Sequence, residues 1–169
     1  GVPPEEIIAK FGAELLRLWV ASEDYRDDVR LSPEILSGLS DAYRKIRNTL
    51  RFLVANLGDF DPNTDRVAEA DMTLLDQMML ARYRVAKRGI LAAFETYEFH
   101  KVVHQVLNFF AGPLSSMYMD FLKDRLYAEL TGDSRRRSSQ TVLHLILEEL
   151  LTMLAPIGSF TADEAWRET

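Results

Sequence analysis

Residues 32–58 of this chain carry the pattern that decides the fold, and they spell SPEILSGLSDAYRKIRNTLRFLVANLG. Apolar side chains recur here at alternating steps of three and four residues, the spacing of a helix face that packs against neighbouring helices. Ser32 followed by Pro33 is typical of a helix start, and Gly58 of a helix end. The stretch predicts one long helix of a bundle. Its apolar seam consists of Leu36, Leu39, Tyr43, Ile46, Leu50, Leu53 and Leu57.

The sequence on both sides predicts further helices joined by short loops. Before residue 30, where a boundary is expected, Pro4 to Val20 predicts two short helical pieces interrupted at Gly12. Gly112-Pro113 is expected to break the helical pattern later in the chain. Further helices are predicted from about Asp71 to Phe94, from about Tyr97 to Phe110, from Leu114 to near Gly132, from Ser138 or Ser139 to Pro156, and from a capping box at Thr161–Glu164 onward.

We therefore expect an all-α fold, with a short N-terminal helical junction segment over residues 1–30 and a helical bundle over residues 31–169. The last predicted helix is cut off after Thr169, so we expect the chain to be part of a longer protein. Of its 169 residues 47% are apolar, the net charge is −6 and there is no cysteine. The lack of cysteine excludes disulfides, thiolate nucleophiles and cysteine zinc sites. No apolar run approaches the roughly 18 residues needed to span a bilayer, and the first residues lack a basic start followed by an apolar core, so we expect the chain to be cytoplasmic.

Two partial metal motifs fail on inspection. Residues 59–65 alternate carboxylate and amide ligands like a calcium loop, but Thr64 stands where such a loop needs Gly and Ala70 where it needs Glu. His100 and His104 have metal-ligand spacing, yet Lys101 replaces the general-base Glu of a zinc protease. No Gly-rich phosphate loop or nucleophile elbow occurs, so we expect neither a metal site nor catalysis by this chain alone.

Most of the 20 Lys and Arg residues fall in three windows, at residues 44–51, 82–88 and 123–137. In the first window Arg44, Arg47, Asn48 and Arg51 form a stripe turned away from the apolar seam, with no acidic residue up to Phe52. Guanidinium groups can grip phosphate, an Asn side chain can read a base edge, and an exposed Phe52 could stack. The alternative is an ordinary solvated helix face.

The third window mixes cations with an aromatic ring. Lys123, Arg125 and Tyr127 precede the run Arg135-Arg136-Arg137, a mixture that suits an RNA loop because a ring can stack on an unpaired base. The alternative is that Tyr127 belongs to the core and Asp124 pairs with a neighbouring Arg. The second window is ambiguous in the same way and has weaker support.

These segments resemble isoleucyl-tRNA synthetases, a family of class I aminoacyl-tRNA synthetases, over essentially the whole chain. FGAELLRLW at residues 11–19 is shared with the valyl and leucyl enzymes, whereas IRNTLRF at 46–52 and KDRLY at 123–127 are more isoleucyl-like. The resemblance continues in RRSSQT at 136–141 and in FTADEAW at 160–166. It implies an anticodon-binding helical bundle, preceded by the segment that follows the catalytic domain's lysine-rich signature loop.

The resemblance also implies roles for single residues. Arg47, Asn48 and Arg51 would contact the anticodon loop, with Arg44 as the adjacent phosphate grip. Lys123, Arg125 and Tyr127 would form a second wall of the site. Arg136 and Gln140 would touch the RNA backbone.

By the same resemblance, the partner is the anticodon stem-loop of tRNA(Ile), with no membrane and no DNA involved. The ATP-site signatures, the editing domain and the C-terminal zinc module of the family have no counterpart here. ATP, magnesium and zinc would therefore serve the parent enzyme, no cofactor is expected in this chain, and the chain should be inactive alone. The alternatives are the same domain of a valyl or leucyl enzyme, or a protein-binding helical adaptor without an RNA role.

Overall fold

The computed structural model describes residues 3–29 and 31–169, and every regular element in these ranges is helical. The all-α prediction is confirmed. The predicted boundary near residue 30 falls on Arg30, outside the described residues. The elements are α1 (Pro4–Phe11), α2 (Ala13–Ser22), α3 (Pro33–Ala55), a 3-10 turn (Glu69–Asp71), α4 (Leu74–Glu95), α5 (Phe99–Phe109), a π-helical segment (Phe110–Met119), α6 (Asp120–Ala128), α7 (Ser134–Leu154) and α8 (Ser159–Trp166).

Helix α3 is the long helix predicted at the centre of the sequence. The Ser32 hydroxyl oxygen accepts a hydrogen bond from the Ile35 amide at 3.3 Å, and Pro33 occupies the first turn, where an N–H has no partner within the helix. Leu50 and Leu53 of the apolar seam are buried. The seam faces the core, which leaves the opposite side of α3 in solvent.

The N-terminal segment forms two short helices, as predicted. Gly12 separates them with a φ of 86°, a conformation that residues with a side chain rarely adopt. Ile7 and Leu15 pack with Leu36 of α3 in a small cluster, and Leu18 belongs to the main core. The segment thus packs onto the bundle through α2.

The predicted break at Gly112-Pro113 is wrong, because the chain stays helical from α5 through the π-helical segment to α6. Proline lacks an N–H and its ring crowds the preceding turn of an α-helix. The wider π-helical turns accommodate Pro113 without ending the helix. The apolar face continues across this segment through buried Phe110, Leu114 and Tyr118.

Helix α7 begins earlier than predicted. It starts at Ser134, because the Asp133 carboxylate accepts hydrogen bonds from the amides of the next residues, at 2.8 Å for Arg135. The predicted start at Ser138 or Ser139 is therefore wrong, and both serines lie buried inside the helix.

Helix α8 also begins earlier than its predicted capping box. It starts at Ser159, so Thr161 lies within the first turns and does not cap the helix. The Thr161 hydroxyl instead forms a hydrogen bond of 2.7 Å with the hydroxyl of Tyr43. This contact ties α8 to α3. Within the described ranges, none of the helices has the length and hydropathy needed to cross a membrane.

A buried carboxylate links α4, the π-helical segment, α6 and α7. Asp76 is 0% exposed and accepts hydrogen bonds from the hydroxyls of Tyr118 and Ser138, both at 2.6 Å, and of Ser139 at 3.0 Å. Arg125 of α6 completes the network with a contact of 3.2 Å. Burial and the charge of the Asp76 carboxylate raise the pKa of Tyr118 well above its ordinary value, so its hydroxyl remains a donor.

Candidate RNA-binding surface

The polar side of α3 is exposed as the sequence predicted. We call the exposed side chains of Arg44, Lys45, Arg47, Asn48 and Arg51 the α3 ridge. They are held outward because the opposite side of the same helix is committed to the core through its apolar seam. A rigid helix thus presents four cationic groups and one carboxamide to solvent.

The cations of the α3 ridge have only weak acidic partners. Arg44 lies 3.5 Å from Asp41, and Arg47 lies 3.4 Å from Glu164, with all four side chains largely in solvent. Ion pairs exposed in this way contribute about 0–1 kcal/mol, so phosphate oxygens can replace these carboxylates at little cost. Among residues 3–29 and 31–169, no carboxylate lies within 4.0 Å of the charged group of Lys45 or Arg51.

The two flanks of the α3 ridge differ in charge. On the α8 flank, Arg47 and Arg51 share a cavity of about 220 Å³ with Glu164 and Glu168. On the other flank, a groove of about 430 Å³ separates α3 from the π-helical segment, and no carboxylate lines it. The lining of the second flank therefore carries no negative charge that would repel a polyanion. We call this groove the π groove; its lining residues are Lys45, Asn48, Thr49, Phe52, Ala111, Ser115, Ser116 and Met119.

The wall of the π groove opposite α3 is formed by the π-helical segment and was not predicted from the sequence. A hydrogen bond of 3.1 Å between the hydroxyls of Thr49 and Ser115 joins the two walls. The signal was the run of small residues between apolar ones, Ala111, Ser115 and Ser116, which lets another helix approach closely. This wall was missed because a helix break was expected at Gly112-Pro113. A chain broken at that point would not form one continuous helix face next to α3.

Lys123 and Tyr127 of the predicted second wall are exposed on α6. Tyr127 is 70% exposed, so the alternative that it belongs to the core is wrong. Lys123 pairs with Asp120 at 2.7 Å, and both groups are in solvent. These residues follow Met119 of the π groove on the same continuous helix, with Tyr127 about 12 Å farther along the axis at about 1.5 Å per residue.

Arg125, the third residue of that wall, does not face solvent in the same way. Its side chain is 17% exposed, contacts Asp76 at 3.2 Å and donates a hydrogen bond to the Ser139 hydroxyl at 2.8 Å. Its guanidinium group neutralises a fully buried carboxylate. The predicted RNA contact of Arg125 does not fit this placement, since a phosphate could gain it only by exposing Asp76.

Arg136 and Gln140 also lie inside the bundle, which does not fit the RNA contact predicted for them. Arg136 is 8% exposed and forms a two-pronged pair with Asp59, at 2.6 and 3.0 Å. Gln140 is fully buried and donates to the Asn56 carbonyl at 2.9 Å. The hydrogen bond from Arg136, assisted by Gln140, lowers the pKa of the Asp59 carboxyl to about 2. Both residues join α7 to the loop after α3.

Two of the four cations of the second window, Arg84 and Lys87, are paired with carboxylates. Arg84 forms a two-pronged pair with Glu69, whose shorter contact is 2.6 Å, and Lys87 lies 2.7 Å from Glu149. These pairs are shorter than the contacts of 3.4 and 3.5 Å that the cations of the α3 ridge make with carboxylates. The window remains a weaker candidate for RNA contact.

No group of three or more His, Asp or Glu side chains in the described part of the chain is arranged to hold a metal ion. In the acidic loop after α3, Asp59 forms an ion pair with Arg136, and Asp65 lies 3.3 Å from Arg137. The partial calcium motif is thus occupied by cationic side chains. His100 of the His100 and His104 pair lies 3.7 Å from the carboxylate of Asp24.

Comparison with known proteins supports the resemblance found in the sequence. The isoleucine–tRNA ligases of Desulfotalea psychrophila and Geobacter sulfurreducens are each 52% identical over 98% of this chain, and that of Erwinia tasmaniensis is 46% identical over the same share. The similarity to isoleucyl-tRNA synthetases is thereby confirmed, and the valyl, leucyl and adaptor alternatives are not favoured. The chain spans 18% of the length of these relatives.

A family model described as the anticodon-binding domain of tRNA ligase matches residues 76–169. The match begins at Asp76 in the first turn of α4 and includes α5 to α8 and the π-helical segment that faces α3. It covers more than half of the chain and agrees with the all-α bundle. The chain therefore belongs to the anticodon-binding domain family of tRNA ligases.

Proposed function

We propose that this chain binds the anticodon stem-loop of an isoleucine-accepting tRNA through the α3 ridge. The observation that carries the proposal is the exposure of four cations on one face of α3, next to a groove without carboxylates. Arginine pairs with phosphate in a two-pronged geometry, so Arg44, Arg47 and Arg51 suit the RNA backbone. Lys123 and Tyr127 on α6 extend the contact.

The contribution of such a domain is binding energy. By binding the anticodon stem-loop, the domain positions the acceptor end of the tRNA for ATP-dependent aminoacylation by the catalytic domain of the full-length synthetase. We propose that the parent chain also contains the catalytic, editing and zinc-binding domains, which use ATP, magnesium and zinc. We likewise propose that the parent enzyme is cytoplasmic. No step of the reaction is assigned to a residue of this chain.

The double variant Arg47→Ala/Arg51→Ala is expected to weaken binding of the stem-loop by about 1–3 kcal/mol, because it removes two phosphate contacts from the α3 ridge. Neither side chain contributes to the core, so circular dichroism should show an unchanged helix content. Fluorescence anisotropy with a labelled anticodon stem-loop measures the affinity.

The matched control for this experiment is Arg26→Ala/Arg66→Ala, which removes the same charge at two exposed positions outside the three cationic windows. It is expected to keep the parent affinity, apart from a small long-range effect that salt screens. Equal losses for the two double variants would contradict the proposal. If the unsubstituted 169-residue chain binds this stem-loop no better than an unrelated acidic polymer, the result would favour the adaptor alternative.

A further inference from the structure

The loop between α3 and α4, residues 56–73, is attached to α7 through side chains along one face of that helix. The ring of Phe60 is buried and lies against the ring of His144, with 5.5 Å between the ring centroids. Farther along the loop, the Val67 amide donates a hydrogen bond of 3.1 Å to the Thr141 hydroxyl. The position of this α3–α4 loop therefore depends on its contacts with α7.

The His144 side chain is largely buried and has an unpaired ring nitrogen. It is 15% exposed, and its buried Nδ1 atom forms no hydrogen bond with any residue that the structure describes. Burial disfavours the charged form of an imidazole, because the charge loses its hydration. Burial therefore lowers the pKa of His144 below the ordinary value of 6.5, and this effect exceeds the opposing attraction of the Glu148 carboxylate. The ring is thus neutral at neutral pH.

A single carboxylate oxygen lies close to both His144 and the α3–α4 loop. Oε2 of Glu148 is 3.9 Å from Nδ1 of His144 and also 3.9 Å from a guanidinium nitrogen of Arg66 in the loop. Among the described residues, Glu148 on α7 and Arg66 on the loop are the charged groups that face the His144 ring. Both side chains are 49% exposed, so the carboxylate has room to turn toward either partner. While the ring is neutral, only Arg66 attracts the carboxylate as a cation.

A proton on His144 would change two contacts of the loop. The imidazolium ring competes with Arg66 for the Glu148 carboxylate and repels the Arg66 guanidinium group. A buried charge also costs free energy unless it is hydrated or paired, which favours movement of the ring away from Phe60 and toward solvent. Protonation therefore weakens the attachment of the loop to α7 at two neighbouring points.

We propose that His144 is a pH-sensitive switch that controls the attachment of the α3–α4 loop to α7. In the neutral state its ring packs on Phe60, and Glu148 pairs with Arg66. In the protonated state Glu148 pairs with His144. The part of the loop that carries Phe60 and Arg66 then opens more readily, while α3 and α7 remain helical because their apolar faces pack in the main core.

The pH range of this opening follows from the burial of the ring. The pKa of His144 is lower in the folded chain than in the unfolded chain, where an exposed imidazole has a pKa of about 6.5. The stabilisation that the neutral ring provides is therefore complete above about pH 6.5 and is lost as the pH falls below that value.

Urea unfolding of the 169-residue chain and of His144→Phe at about pH 7.5 and about pH 5.5 tests this pH dependence. Phenylalanine keeps an aromatic ring beside Phe60 but cannot take up a proton. Between these pH values, the unfolding equilibrium constant of the unsubstituted chain should rise about 5-fold more than that of the variant. His104→Phe is the matched control, since it removes an exposed histidine of α5, and it should follow the unsubstituted chain. Equal pH dependence of the unsubstituted chain and His144→Phe overturns the inference.

Hydrogen exchange of the unsubstituted chain, measured by NMR, separates local opening of the loop from global unfolding without any substitution. Amides of residues 60–67 should exchange faster than those of the buried part of α7, which open only with the whole bundle. After correction for the intrinsic effect of pH, the loop amides should exchange about 5-fold faster at about pH 5.5 than at about pH 7.5, because opening exposes the ring to protonation. No such increase, or equal exchange rates in the loop and in α7 at both pH values, overturns the inference.

Discussion

Replacing Asp76 with Ala is expected to lower the free energy of unfolding by about 3–5 kcal/mol, the cost of breaking a buried ion pair by removing one partner. The Asp76 carboxylate is 0% exposed and accepts hydrogen bonds from Tyr118 and Ser138 at 2.6 Å each. The variant leaves these hydroxyls unpaired in the interior and leaves Arg125 without its counter-charge. Because the network joins four elements, its loss should destabilise the bundle as a whole.

Urea unfolding followed by circular dichroism measures this effect. Asp120→Ala is the matched control, since it removes an exposed carboxylate of α6 whose pair with Lys123 lies in solvent. The control should change the free energy of unfolding by less than about 1 kcal/mol. If the two variants unfold at the same urea concentration, the buried network does not stabilise the fold as described.

Arg136→Met is expected to lower the free energy of unfolding by about 2–3 kcal/mol, because the Asp59 carboxylate and the Leu126 carbonyl lose their charged donor. Methionine keeps much of the aliphatic volume, so the loss reports hydrogen bonding and charge. Under conditions where the variant is folded, its affinity for the anticodon stem-loop should equal that of the parent chain.

The contrast with the α3 ridge makes this prediction discriminating. Arg47→Ala/Arg51→Ala should lower affinity and leave stability unchanged, whereas Arg136→Met should do the reverse. Denaturation and RNA titration of the same preparations measure both quantities. A loss of RNA affinity in folded Arg136→Met without loss of stability would restore the RNA contact that the sequence predicted.

The sequence predicted the parts of this molecule that depend on local pattern. The apolar seam of α3 fixes which side of that helix is buried, and exposure of Arg44, Arg47 and Arg51 follows from it, because charged side chains on the far side of an amphipathic helix meet solvent. The helix break at Gly12 was likewise predictable, since only a glycine readily takes its positive φ.

The sequence could not separate exposed cations from buried ones in the window at residues 123–137. Arg125 is part-buried and Arg136 is buried, each against a carboxylate, Asp76 or Asp59, that comes from a distant part of the chain. Such pairing is set by tertiary packing. The π groove was missed for a related reason. Pro113 is a strong signal for a helix break, and the neighbouring turns override it by widening.

The salt dependence of binding tests most directly the claim that the α3 ridge grips RNA phosphates. The affinity of the 169-residue chain for the anticodon stem-loop is measured over a range of salt concentrations, beside the triple variant Arg44→Ala/Arg47→Ala/Arg51→Ala. Each phosphate contact contributes about 0.7–0.9 to the slope of log affinity against log salt, so the slope of the variant should be smaller by about 2–3. Equal slopes for parent and variant would show that these arginines do not contact the RNA backbone.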